Sequence, residues 1–196
     1  MKKIILSICL LSGILSLAQN EETKEVNVLY ADFSFSVGGN VGLTYEYSKN
    51  NDQESKLKKS SIFKVHYISS TLDTNNKDID GNGIGAEIGT KTYYNKNEHK
   101  GFYGASYITA GSIKFDKKNI FPNAATGAST DFDGTYTYLS LFSPELGYKL
   151  LIGNKVAINL HMGTSWLIEF KGKGDVDNKS FDNWVLNGGF AIGYNF

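Results

Sequence analysis

Eight ionisable residues stand where charge could do work: Glu46, Lys64, Glu87, Lys91, Glu145, Lys149, His161 and Glu169. Their signs are mixed, and each lies in a segment where polar and apolar residues alternate. The set therefore predicts a polar network on one shared interior face. There, charges of both signs can pair, and an unpaired charge would cost several kcal/mol. A gated ion or proton path is the sharper use of the same residues. His66 and His99 complete the histidines, and His99, beside Lys100 in a short turn, reads as a solvated surface residue. His161 with Ser165, or His66 with Ser69, has the composition of a nucleophile and its base. Alternation puts His161 and Ser165 on the polar face and separates His66 from Ser69. The run from Asn76 to Glu87 has partial calcium-loop spacing, with oxygens at Asn76, Asp78, Asp80 and Glu87 and a glycine at Gly81. Asparagine in first place and the lack of flanking helices make it a polar loop instead. No phosphate loop, zinc spacing or paired-carboxylate motif occurs. The residues thus predict no catalytic centre, no metal and no cofactor.

The elements that must position these residues are strands. Of 196 residues, 21 are glycine and 2 proline, and aromatic residues make up 13%, a composition suited to β structure. The 20 basic residues are all lysine and balance 20 acids, which removes the basic excess expected of a nucleic-acid binder. Met1-Lys2-Lys3, an apolar run from Ile4 and the small-x-small signal Ser16-Leu17-Ala18 predict a signal peptide over 1–18, cut before Gln19. The expected mature domain, 19–196, then loses the one cysteine, Cys9. That excludes disulfide scaffolds and thiol chemistry.

Period-two alternation runs through the rest. From Val156 to Phe170 the even positions are large and apolar, the odd ones small or polar; Trp184 to Phe196 repeats the pattern. Similar alternation gives eight expected strands at about 26–36, 39–48, 61–70, 83–95, 101–116, 134–151, 155–171 and 183–196. Residues 26–48 read either as a hairpin or as one long bent strand. Tyr103, Ala105 and Tyr107 are expected on the apolar face, opposite Gly104 and Ser106. Pro144 inside the sixth strand predicts a bulge or break, since it lacks a ladder donor. Short turns at 95–100 and 152–155 alternate with long polar loops at about 71–82, 117–133 and 172–182. A membrane barrel shows this alternation of short and long connections. The polar face, crowded with Gly, Ala, Ser and Asn, suits a barrel interior better than a solvated surface.

On these features the chain resembles the small outer-membrane β-barrel proteins of Gram-negative bacteria, with an eight-stranded OmpA/OmpX-like barrel. The most specific element is Gly189-Phe190-Ala191-Ile192-Gly193-Tyr194-Asn195-Phe196, and Glu145-Leu146-Gly147-Tyr148-Lys149 and Gly101-Phe102-Tyr103 are less specific. The resemblance implies an all-β, up-and-down antiparallel transmembrane barrel in the outer membrane. It also implies a C-terminal insertion signal (Phe190, Ile192, Tyr194, Phe196) read by the barrel assembly machinery. An eight-stranded lumen is filled by side chains, so the expected protein is a monomeric, non-enzymatic barrel in outer-membrane lipid. Its polar loops would serve envelope integrity, adhesion or partner binding. A lipid A-modifying barrel hydrolase and a secreted lipocalin-like binder of an apolar ligand are the alternatives.

Overall fold

The computed structural model describes residues 26–48, 57–74, 77–95, 99–122, 129–153, 155–174, 176 and 183–196. The expected signal peptide lies outside the described residues. Eight strands form one closed antiparallel ring in chain order: β1 (Val26–Phe35), β2 (Gly39–Ser48), β3 (Lys58–Thr74), β4 (Lys77–Tyr93), β5 (Gly101–Pro122), β6 (Ser129–Ile152), β7 (Val156–Gly174) and β8 (Trp184–Asn195). β1 closes the ring on β8 from Val28↔Asn195 to Phe35↔Gly188. Closure pairs every strand on two sides, so the ring has no sheet edge along its common height. Residues 26–48 form a hairpin, with Ser34 opposite Asn40. At the β6–β7 turn Gly153 takes φ +58, a left-handed conformation that glycine adopts without a Cβ penalty.

The strands β3 to β7 are longer than their alternation cores. The expected loop at 71–82 is a hairpin whose ladder continues to Thr74↔Lys77, and β5 and β6 pair out to Pro122↔Ser129. The reason lies in the residues inside the expected loop. Leu72 and Ile79 continue the inward alternation and are buried, while Asp73, Asp78 and Asp80 point to solvent. The calcium-loop spacing cannot converge on Asp78, Asp80 and Glu87, because the two aspartates face outward and Glu87 faces the lumen; Asn76 lies outside the described residues.

β6 carries the irregularity expected near Pro144. Its register with β7 shifts between Leu139 and Phe142, and that of β5 with β6 shifts between Tyr107 and Thr109. Leu141 and Phe142 consequently both face outward, and Ser140 and Ser143 on either side both face in.

Large apolar side chains cover the outside. Following hydrogen-bonded partners, the outward row Leu29, Tyr45, Phe63, Ile88 and Ile108 climbs around the wall. Ile84 and Leu186 are 73% and 74% exposed, far beyond what a soluble surface tolerates as part of a continuous band.

Candidate functional site

The inner face of the ring is the candidate site. Toward the end that carries both the start of β1 and the C-terminus, it is built around Glu46 of β2, which is fully buried. Lys149 Nζ lies 3.1 Å from its Oε1 and Lys91 Nζ 3.8 Å from its Oε2. Tyr30 donates to Oε2 at 2.7 Å, Ser60 to Oε1 at 2.9 Å, and Tyr93 also donates to Oε1. Lys91 stands 4.5 Å from the centroid of the Tyr103 ring, so its charge is also met by an aromatic face.

Next along the lumen, Lys64 is shared between Asp32 at 3.2 Å and Glu87 at 3.8 Å. His66 Nδ1 lies 3.8 Å from Glu87 Oε1. His66 can occupy this space because its neighbour across the ladder is Gly85, where a Cβ would collide with His66 Nε2. Glu145 accepts hydrogen bonds from Tyr103 and Tyr107, each at 3.1 Å. The lumen there narrows to a cavity of about 20 Å³, lined among others by Lys64, Glu87, Glu145 and His161. That is room for about one water molecule, and far too little for an apolar ligand. Beyond it the inner face turns apolar. Ile68, Leu72, Ile79, Ile113, Phe115, Phe132, Tyr136, Tyr138, Leu167 and Val176 form one buried cluster across the ring.

Of the eight residues singled out from sequence, Glu46, Lys91 and Lys149 meet in one cluster, and Lys64, Glu87, Glu145 and His161 line the cavity beside it. Glu169 also faces inward but sits farther along β7, opposite Tyr138, and is only partly buried. Ser165 lines the cavity too, where Asn187 donates to its Oγ at 2.9 Å. Ser165 and His161 thus both line the cavity inside the wall.

Two expectations are overturned. Tyr103 and Tyr107 are buried in the lumen, not on the apolar face; the outward set of β5 is Phe102, Gly104, Ser106, Ile108 and Ala110. The phenols go where Glu145 needs donors, and the parity of Phe102 and Ile108 was the available signal. His99 is buried rather than solvated. Its Nε2 stands 2.6 Å from Ser48 Oγ and its ring packs edge-on against Tyr93 at 5.6 Å. Ser48 commits its proton to the Lys59 carbonyl at 2.7 Å, so His99 Nε2–H is the donor to Ser48. Burial pushes the imidazole below its ordinary value; Glu46 opposes the shift, and Lys149 and Lys58 add to it. Asp32, Tyr30 and Tyr93 also belong to the lumen but to none of the expected site sets, and His66, weighed only as a partner of Ser69, belongs to it as well. Alternation with Phe33 and Phe35 marks Asp32 as inward, and its value shows only when Lys64 is brought opposite.

A solved structure shows the same architecture. The crystal structure of a major outer membrane protein from Thermus thermophilus is similar at a TM-score of 0.54 and 13% identity, over 88% of this chain and 100% of that one. The fold is that of the small outer-membrane β-barrels. Ail, the attachment invasion locus protein of Yersinia pestis, solved with the heparin analogue sucrose octasulfate, is similar at a TM-score of 0.46 and 16% identity, covering 88% of this chain and 98% of that one. The N-terminal β-barrel domain of Pseudomonas aeruginosa OprF is similar at a TM-score of 0.37 and 11% identity, over 90% of this chain and 100% of that one. No family model and no curated protein matches the chain.

Proposed function

We propose that the protein is an integral, monomeric and non-enzymatic protein of the outer membrane. In this reading the lumen is shut within the bilayer, and the extended ends of β3 to β7 stand outside for envelope integrity, adhesion or partner binding. The observation that carries it is the inverted polarity of the wall, with ion pairs inside and a continuous band of exposed Phe, Leu, Ile, Tyr and Trp outside. Only a hydrocarbon solvent makes that distribution favourable, because each exposed apolar side chain would otherwise face water. A signal peptide over 1–18 would deliver the chain. The strand end at Phe190, Ile192, Tyr194 and Phe196 would present it to the assembly machinery. The lumen supports no open pore, and its narrow interior counts against the lipocalin-like alternative.

Fractionation, gel mobility and planar-bilayer recording test the reading together. The protein is expected in the outer-membrane fraction, with mobility that shifts on boiling. Deleting Phe196 is expected to reduce the assembled, heat-modifiable form. Purified barrel is expected to show no steady conductance. A chain soluble without detergent, or a stable open channel, would sink the proposal. Normal assembly after deletion of Phe196 would remove the insertion-signal part alone.

A further inference from the structure

We infer that the small cavity in mid-lumen is a binding site for a single hard monovalent cation of the size of sodium. The first ground is charge. Four carboxylates, Asp32, Glu46, Glu87 and Glu145, are enclosed in the closed part of the lumen with three ammonium groups, Lys64, Lys91 and Lys149. Two of those ammonium groups, Lys91 and Lys149, are drawn to Glu46. Of the acidic and basic side chains that line the cavity itself, Glu87 and Glu145 therefore face Lys64 alone, and across the closed lumen the four carboxylates exceed the three ammonium groups by one. One excess negative charge in a closed interior is strongly disfavoured unless something compensates it.

The second ground is a set of oxygens with nothing to accept from. Asn40 is only 5% exposed, lines the cavity and donates its Nδ2 to Ser36 at 3.1 Å, yet its Oδ1 has no hydrogen-bond partner in the protein. Asn187 of β8, which is separated from β2 in the ring by β1 alone, also lines the cavity and its Oδ1 likewise has no hydrogen-bond partner in the protein. A proton taken up by one carboxyl would satisfy one acceptor. A cation draws several oxygens at once, and carboxylate, amide and hydroxyl oxygens are the ligands hard cations take. A single charge suits the site better than a divalent ion. Among the described residues no three His, Asp or Glu side chains converge at metal-binding spacing, and Lys64 stands in the wall. The volume of about 20 Å³ admits one particle of the size of water.

The inference rests on the closed lumen and not on where the protein resides, so it is tested on barrel folded in detergent micelles. The thermal midpoint is read from heat-modifiable mobility in NaCl and in N-methylglucamine chloride, at equal ionic strength. Stability is expected to rise saturably with Na⁺, as it does for any ligand bound only by the folded state, and to stay flat with the bulky organic cation. Glu87→Gln, which removes the excess charge, is expected to abolish the difference. Asn40→Ala is expected to raise the half-saturating Na⁺ concentration roughly tenfold, about 1.4 kcal/mol. Coincident midpoints in the two salts, or a full Na⁺ response retained in Glu87→Gln, would overturn the site. A midpoint that follows pH and ignores Na⁺ would do so as well, by assigning the neutralising charge to a proton. Should Glu87→Gln fail to fold, the unsubstituted barrel and Asn40→Ala still decide. Fractionation and conductance results leave these outcomes untouched.

Discussion

Glu46 shows how much one buried carboxylate organises. It accepts from three hydroxyls and faces two lysines carried by β4 and β6, so four strands besides its own are tied to one side chain. Replacing it by Gln keeps the shape and leaves Lys91 and Lys149 buried without their counter-charge. Breaking a buried pair in this way costs about 3–5 kcal/mol, read as a lower midpoint for heat-modifiable unfolding. His99 yields a pH prediction of defined sign. Its proton affinity is depressed in the folded barrel, so below about pH 6.5, the ordinary imidazole value, the unfolded chain binds more protons than the folded one. The stability it contributes is present above that pH and is lost as the pH falls. His99→Gln keeps a donor for Ser48 without titrating, and the drop in midpoint between pH 7.5 and 5 is expected to be smaller in that variant. An equal drop would place the acid sensitivity elsewhere.

Along each of β3 to β5 the parity of the side chains persists while their chemistry reverses, and on β6 the chemistry reverses across the bulge at Leu141 and Phe142. On β3 the inward series runs Lys64, His66, Ile68, Ser70, Leu72, and the outward series Phe63, Val65, Tyr67, Ser69, Thr71, Asp73. On β5 Thr109 and Gly111 give way inside to Ile113 and Phe115, as Ile108 and Ala110 give way outside to Lys114 and Asp116. The point of reversal marks where the solvent around the wall changes from hydrocarbon to water. Beyond it the strands pack like an ordinary soluble sheet, apolar inward. Ile79→Ala in that cap is expected to cost about 2–5 kcal/mol by the cavity it opens. Asp80→Ala, one residue away on the outer face, is expected to stay within about 0.5 kcal/mol. Equal effects from the two would contradict the cap as a packed core.

For the molecule as a whole, the outer belt and the two plugs make one consistent object. The apolar cluster stops one end, the Glu46 cluster with His99 stops the other, and the polar cavity is enclosed between them. A charge placed on the belt tests the solvent directly. Leu160, 57% exposed on β7 within the band, changed to Lys is expected to cost about 2–4 kcal/mol in a lipid bilayer if it lies near the midplane. A negligible effect in lipid would argue that the belt faces water.

Period-two alternation was enough to expect eight strands, because it is a local property of the backbone, whereas their closure into a barrel was expected from the short and long connections and the family resemblance. Alternation also sufficed to turn Glu46, Lys64, Glu87, Lys91, Glu145 and Lys149 to one face. It failed on β5, where Tyr103 and Tyr107 are large enough to read as belt residues and only Glu145 on the neighbouring strand explains their inward turn. It failed at His99, whose turn looks solvated until Ser48 and Tyr93 arrive from other strands. Strand length escaped it as well, since polar outward residues disguise a ladder whose inward partners are Leu72 and Ile79. Which face a residue takes is written in its neighbours along the chain. Which charges meet, and how far the pairing runs, depends on register between strands, and register is settled only when the ring closes.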